Sequence, residues 1–205
     1  MKIKTINGIY TYTQEELFHG RKYIDIEIAT HNLLDFKTVL DSNKVDFGII
    51  FGTLLGAIRE NNFIKHDEDV DVFIIEESKS AFLSLLFVFR EMGFEVARYE
   101  GKILSLIRND NYIDIYFFKK NLFGQRVCGG YVLKAELLEY LDQISFLNQT
   151  FNTPMNPIHF LEKFYGKDWK TPKENAHATN FSIKVKSFLK KIIPKPILRI
   201  LKSCH

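Results

Sequence analysis

The sequence is poor in cysteine, has no long apolar run, and carries no acidic residue after Glu174. Its two cysteines, Cys128 and Cys204, lie far apart with no CxxC or Cys/His spacing around them. That excludes a zinc framework and a disulfide scaffold, and it is compatible with a reducing cytoplasm. The stretch 1–10 has neither an apolar core nor a small-residue cleavage site, so no secretory signal is expected. The most apolar window, 81–89, is far shorter than the roughly 20 residues that span a bilayer. There is no internal repeat and no low-complexity segment.

The acid-free end accounts for the charge. The 205 residues carry a formal net charge of +3, yet Lys184, Lys186, Lys190, Lys191, Lys195, Arg199 and Lys202 all fall in that end. Without those seven, 21 basic residues face 25 acidic ones, a formal balance of −4. The basicity is therefore local, and nucleic-acid binding by the whole chain is not expected. The apolar fraction of 46% and charged fraction of 26% suit a globular domain, and 19 phenylalanines point to an aromatic core.

The hydrophobic pattern gives the order of elements. A helix is expected over 13–42, with Thr13 and Glu16 as a capping box. A buried strand follows over 45–51, then a helix over 54–59 opened by Gly52-Thr53. A strand at 69–75 and an amphipathic helix at 78–92, stopped by Gly93, come next. Three short strands are expected at 94–99, 102–108 and 112–118, then a loose Gly-rich stretch. A hairpin over 143–152 and a helix from Pro157 to Tyr165, ended by Gly166, close the series. This order implies an α/β (α+β) domain, a mixed sheet flanked by helices over 1–175, with a basic tail over 176–205.

The chemistry concentrates in carboxylates. Asp67, Asp69 and Asp71 alternate, so in a strand they point to one face. An acidic run alone is as readily a solvated turn, but this one feeds directly into the apolar Val72–Ile75. Asp114 stands inside the equally apolar stretch 112–118, where an acid is costly unless paired or bound to metal. Acids crowded on one face repel one another, and a hard divalent cation, Mg²⁺ or Mn²⁺, removes the conflict. Asp69, Asp71 and Asp114, with Asp67 as a further candidate, are thus the expected metal and catalytic residues. Gly52 and Thr53, at a strand-to-helix junction, are candidates to cradle phosphate, with Arg59 and Lys65 as candidate phosphate cations. His66, beside the acids, is as readily a plain loop residue.

The stretch 51–74, FGTLLGAIRENNFIKHDEDVDVFI, resembles the signature of the LicD family, which includes the fukutin-related proteins. That signature runs Gly-Thr-Leu-Leu-Gly-Ala-hydrophobic-Arg, then hydrophobic-Ile-Pro-Trp, then Asp-Asp-Asp-Ile-Asp. Gly52, Thr53, Gly56, Ala57, Arg59, Phe63, Ile64, Asp67, Asp69 and Asp71 stand in place. A second stretch, PMNPIHFLEKFYGKDWKTP at 154–172, is similar to the family's Tyr-Gly, Trp and Pro landmark, and Asp114 matches its later acidic strand. Lys65-His66 departs from the usual Pro-Trp, and Glu68 from an aspartate.

The resemblance, covering about 45–172, implies a nucleotidyltransferase fold. It implies transfer of a phosphorylated group, such as phosphocholine or ribitol phosphate, from a CDP-linked donor to a glycan or lipid-linked glycan hydroxyl. It also implies a setting in cell-surface lipopolysaccharide, capsule or teichoic-acid decoration. The cysteine-rich insertion and membrane anchor of some relatives are not seen, so their zinc site is not carried over. Two alternatives stay open: nucleotidyl transfer by the same acids, and a non-catalytic glycan- or nucleotide-binding module. The tail mixes lysines with Phe188, Leu189, Ile192 and Ile193, a composition suited to the anionic inner face of a membrane, though Pro194 and Pro196 interrupt it. A cytoplasmic, peripheral location is the expectation.

Overall fold

The structure, a computed structural model, describes residues 1–17 and 22–172; the expected tail at 176–205 lies outside the described residues. Two compact units are recognised, Met1–Leu161 and a second from Glu162 onward. The first contains the sheet. Its central path runs β3 (Gly48–Ile49), β4 (Asp69–Ile75), β7 (Asn111–Lys120), β6 (Ile103–Arg108), β5 (Glu95–Tyr99). The hairpin β8 (Gln125–Cys128) and β9 (Tyr131–Lys134) extends it from the end of β7. Among the described residues of the sheet β4 and β7 pair in parallel and the other pairs are antiparallel, so the sheet is mixed. Separate two-stranded hairpins are formed by β1 (Lys2–Thr5) with β2 (Gly8–Thr11), and by β10 (Asp142–Phe146) with β11 (Gln149–Thr153).

The alternation within β7 sorts its two faces. Ile113, Ile115 and Phe117 point one way; Tyr112, Asp114 and Tyr116 point the other. Phenylalanines from α1 (Ile26–Ser42), α3 (Lys79–Ser84) and α4 (Leu86–Glu91) gather on the Phe117 side. Phe82 lies 5.6 Å from Phe117 between ring centroids, and Phe36 stacks on Phe89 at 5.4 Å. Phe36, Phe82, Phe89 and Phe117 are all essentially inaccessible to solvent. Each buried phenylalanine contributes about 1.5–3 kcal/mol. These four phenylalanines clamp the helices to the Phe117 face, while the row with Asp114 lies on the other face.

Several expected boundaries move. The helix expected over 13–42 begins only at Ile26, where Asp25 caps it by accepting the Ile28 N–H at 3.1 Å. Upstream, Glu15 N–H donates to the Ala97 carbonyl on β5 at 2.8 Å, so the Thr13–Glu16 backbone is tied to the sheet and forms no capping box. The strand expected over 45–51 shrinks to Gly48–Ile49. Phe51, at φ 48°, turns the chain into α2 (Phe51–Glu60), which is longer than the expected 54–59. The helix expected over 78–92 is a 3₁₀ turn (Glu76–Ser78) followed by α3 and α4. Leu85 separates the two helices with a tight bond from its N–H to the Phe82 carbonyl. The loose Gly-rich stretch is in fact the β8–β9 hairpin, turning at Gly129-Gly130.

Helix α6 (Pro157–Tyr165) runs to the second unit, where the Gly166 N–H closes it on the Glu162 carbonyl at 2.8 Å. Gly166, at φ 98°, adopts the backbone that favours glycine. A short helix, α5 (Glu136–Glu139), connects β9 to β10. Among the described residues no helix is long and apolar enough to cross a membrane.

Candidate metal-binding active site

The site lies on the sheet face opposite the phenylalanines. Parallel pairing sets Asp69 opposite Tyr112 and Asp71 opposite Asp114. Ser105 of β6 stands opposite Asp114, and Arg98 of β5 opposite Ser105. Paired residues share a face, so Asp71, Asp114, Ser105 and Arg98 form one polar row across the sheet. Asp67 joins from the loop before β4. Its N–H is held by the Ile64 carbonyl at 3.0 Å, and its Oδ1 accepts the Glu68 N–H at 3.0 Å. Ligand oxygens of Asp67, Asp69 and Asp71 all fall within 4.8 Å of one another.

The start of α2 is fitted to these acids. Gly52 N–H donates to Asp71 Oδ2 at 2.9 Å, and the buried Thr53 hydroxyl accepts the Asp71 N–H at 2.8 Å. A Cβ on Gly52 would stand 2.3 Å from Asp67 Oδ2 and 3.1 Å from Asp71 Oδ2. Only a residue without a side chain fits there, which gives the Gly-Thr pair its physical reason. The Tyr116 phenol faces Asp71 and favours its ionised form. The Tyr116 ring packs edge-on to Phe51 at 5.1 Å, and Tyr131 of β9 lies 4.6 Å from Phe51.

The electrostatics are those of crowded anions. Burial, then Asp71, Asp114 and Asp67, push the Asp69 carboxyl well above its ordinary range. Burial and then Asp67 and Asp114 do the same to Asp71, against the opposing bonds from Gly52 and Tyr116. Burial raises Asp67 to about 6. Asp114 is also raised by burial, but Arg98 and Ser105 oppose the shift. Arg98 Nη2 donates to Asp114 Oδ2 at 2.9 Å, and the Ser105 hydroxyl donates to Asp114 Oδ1. Among the described residues no lysine, arginine or histidine pairs with Asp67, Asp69 or Asp71. Three converging oxygens with no counter-cation among the described residues, beside a glycine cradle, fit a hard divalent ion.

Of the residues singled out in the sequence, Asp67, Asp69, Asp71, Asp114, Gly52 and Thr53 are brought together. Arg59 sits in the last turn of α2, bonded through its guanidinium to Glu60. Lys65 and His66 are exposed on the loop, with His66 edge-on to Tyr23 at 5.3 Å. Arg98, Ser105, Tyr116 and Tyr131 were not singled out. Tyr116 was within reach, since it shares the alternation of Asp114; Arg98 was not, because β5 breaks its own alternation.

Fold and site together define a nucleotidyltransferase-type domain. The family model for the LicD/FKTN/FKRP nucleotidyltransferase domain matches residues 44–166, and the chain belongs to this family. It is 26% identical over 146 residues to human ribitol-5-phosphate transferase FKTN, covering 65% of this chain and 31% of that protein. It is 32% identical over 62 residues to the lipopolysaccharide cholinephosphotransferase LicD of Haemophilus influenzae, covering 30% of this chain and 23% of that one. The chain thus spans less than half the length of these relatives. A solution structure of the antibiotic-resistance factor ANT(2'')-Ia superposes with a TM-score of 0.50 at 12% identity, over 78% of this chain and 83% of that one, a likeness of fold alone.

Proposed function

We propose that this domain transfers a phosphorylated substituent, of the phosphocholine or polyol-phosphate type, from a CDP-linked donor to a hydroxyl of a cell-surface glycan. The observation that carries the reading is the meeting of Asp67, Asp69 and Asp71 oxygens within 4.8 Å, inside the matched family domain. These three acids would hold Mg²⁺ or Mn²⁺. Such an ion, when bound, offsets charge on a diphosphate and on the transition state of its cleavage.

The chain's own groups do the rest. Gly52 and Thr53 fix Asp71 from both its side chain and its backbone, and the bare glycine leaves room beside the acids. Asp114 takes the proton of the acceptor hydroxyl as that oxygen attacks the phosphorus distal to cytidine. The bond from this phosphorus to the bridging oxygen breaks, CMP leaves, and the substituent moves with its phosphate. The half-buried Tyr131, at the edge of the acids, borders the space where the acceptor enters. In this reading the tail at 176–205 meets an anionic membrane surface carrying lipid-linked acceptors.

The test is a screen of CDP-choline, CDP-ribitol and CDP-glycerol with Mg²⁺ or Mn²⁺ and candidate glycans, reading CMP by chromatography. CMP release with a phosphorylated glycan supports the reading. A nucleotide-modified acceptor instead overturns it in favour of attack at the phosphorus joined to the nucleoside. For the tail, equal co-sedimentation of the full chain and a truncation after Asn180 with anionic vesicles counts against membrane contact.

A further inference from the structure

Arg98 reaches the carboxylate face because β5 is bulged. Val96 pairs with Leu106, and the next pair is Arg98 with Ser105, so Ala97 is the extra residue. In unbroken register Ala97 would stand opposite Ser105, and Arg98 would point to the other face. The bulge is anchored: Ala97 is fully buried, and its carbonyl accepts the Glu15 N–H at 2.8 Å. Bulges re-aim side chains next to functional sites, and this one delivers a guanidinium to the end of the acidic row.

Once there, Arg98 is committed to Asp114. Nη2 bonds Asp114 Oδ2 at 2.9 Å and Nε bonds the Ser105 hydroxyl at 3.2 Å, while Ser105 bonds Asp114 Oδ1. Four clustered carboxylates carry four negative charges, of which a divalent ion offsets two. The remainder would repel a diphosphate donor. Cancelling one more charge with a fixed guanidinium halves that remainder.

We propose that Arg98 is a positioning residue that sets the charge of this site: by cancelling Asp114 and fixing its carboxylate, it loosens the grip on the divalent ion and admits an anionic donor. This rests on reading the three other acids as an ion site. A residue that merely held the fold together would weaken metal binding when lost; loss of Arg98 should instead tighten it.

The experiment is titration calorimetry of the full chain with Mn²⁺ alone. Arg98→Met should bind Mn²⁺ about ten-fold more tightly than the wild type, the effect of removing one positive charge from the polar row that carries the acids. Arg98→Lys should restore wild-type affinity. Because Arg98→Met leaves Asp114 buried without its cation, the deciding pair is Asp114→Asn, which keeps the guanidinium, against Arg98→Met/Asp114→Asn, which keeps neither charge. A similar tightening in the double variant supports the proposal; unchanged or weaker binding overturns it. A wild type that takes up no Mn²⁺ instead removes the ion site itself, so the two failures are told apart.

Discussion

Asp71 and Asp114 stand directly opposite each other on the two parallel strands, yet of the two only Asp114 has a cation beside it among the described residues. Asp71 is 6% exposed and is held by one backbone N–H, the Tyr116 side chain and nothing positive among the described residues. Asp71→Asn keeps the shape and removes the repulsion. Mn²⁺ binding should fall at least 100-fold, while the metal-free protein melts about 3–6 °C higher. Calorimetric titration and thermal melts measure both; a lower melting point would show that Asp71 is compensated in the fold.

Gly52→Ala places a methyl group on the Asp67 carboxylate, which must swing away. The expected result is a loss of Mn²⁺ affinity of about ten-fold or more with a melting point within a few degrees of wild type. Unchanged affinity would mean that Asp67 does not take part in holding the ion.

The raised acids make metal-induced stabilisation depend on pH. With Asp67 raised to about 6 from an ordinary 3.8, the folded state binds a proton more tightly than the unfolded one. Its contribution is therefore stabilising at low pH and is lost as pH rises through about 4 to 6. Asp69 and Asp71 shift in the same direction. A divalent ion competes with those protons, so the rise in melting temperature on adding Mn²⁺ should be small at pH 5 and large at pH 7.5. Differential scanning fluorimetry at the two pH values decides it.

Thr53→Val separates stability from charge. The hydroxyl accepts the buried Asp71 N–H at 2.8 Å, and an isosteric valine leaves that donor without a partner. The cost should be about 1–3 kcal/mol, read as a shift in the denaturation midpoint.

The site was legible in sequence where its logic is local. Asp67, Asp69 and Asp71 announce themselves by alternation, and Asp114 by being an acid in an apolar strand. What escaped depends on long-range geometry. Arg98 faces the acids only through the bulge at Ala97, and no periodicity displays an inserted residue. Leu17 and Ile24 continue the apolar rhythm of the first helix, which in the structure begins only at Ile26. Glu15 N–H is instead bonded to the Ala97 carbonyl, and Ile24 N–H to the Asp67 carbonyl at 2.8 Å. The β1–β2 hairpin carried a readable Asn7-Gly8 turn signal, and Gly129-Gly130 likewise marked the turn between β8 and β9.

The parallel pairing of β4 with β7 also bears on how the protein acquires its activity. Neighbouring strands of that kind cannot be joined by a tight turn, and α3, α4 and two further strands lie in the chain between the two halves of the acidic set. Closing so long an excursion is slow compared with forming a hairpin. Refolding followed by a probe pair placed across β4 and β7 should therefore lag behind refolding followed by far-ultraviolet circular dichroism, so the acceptor-side carboxylate joins the acids late in assembly.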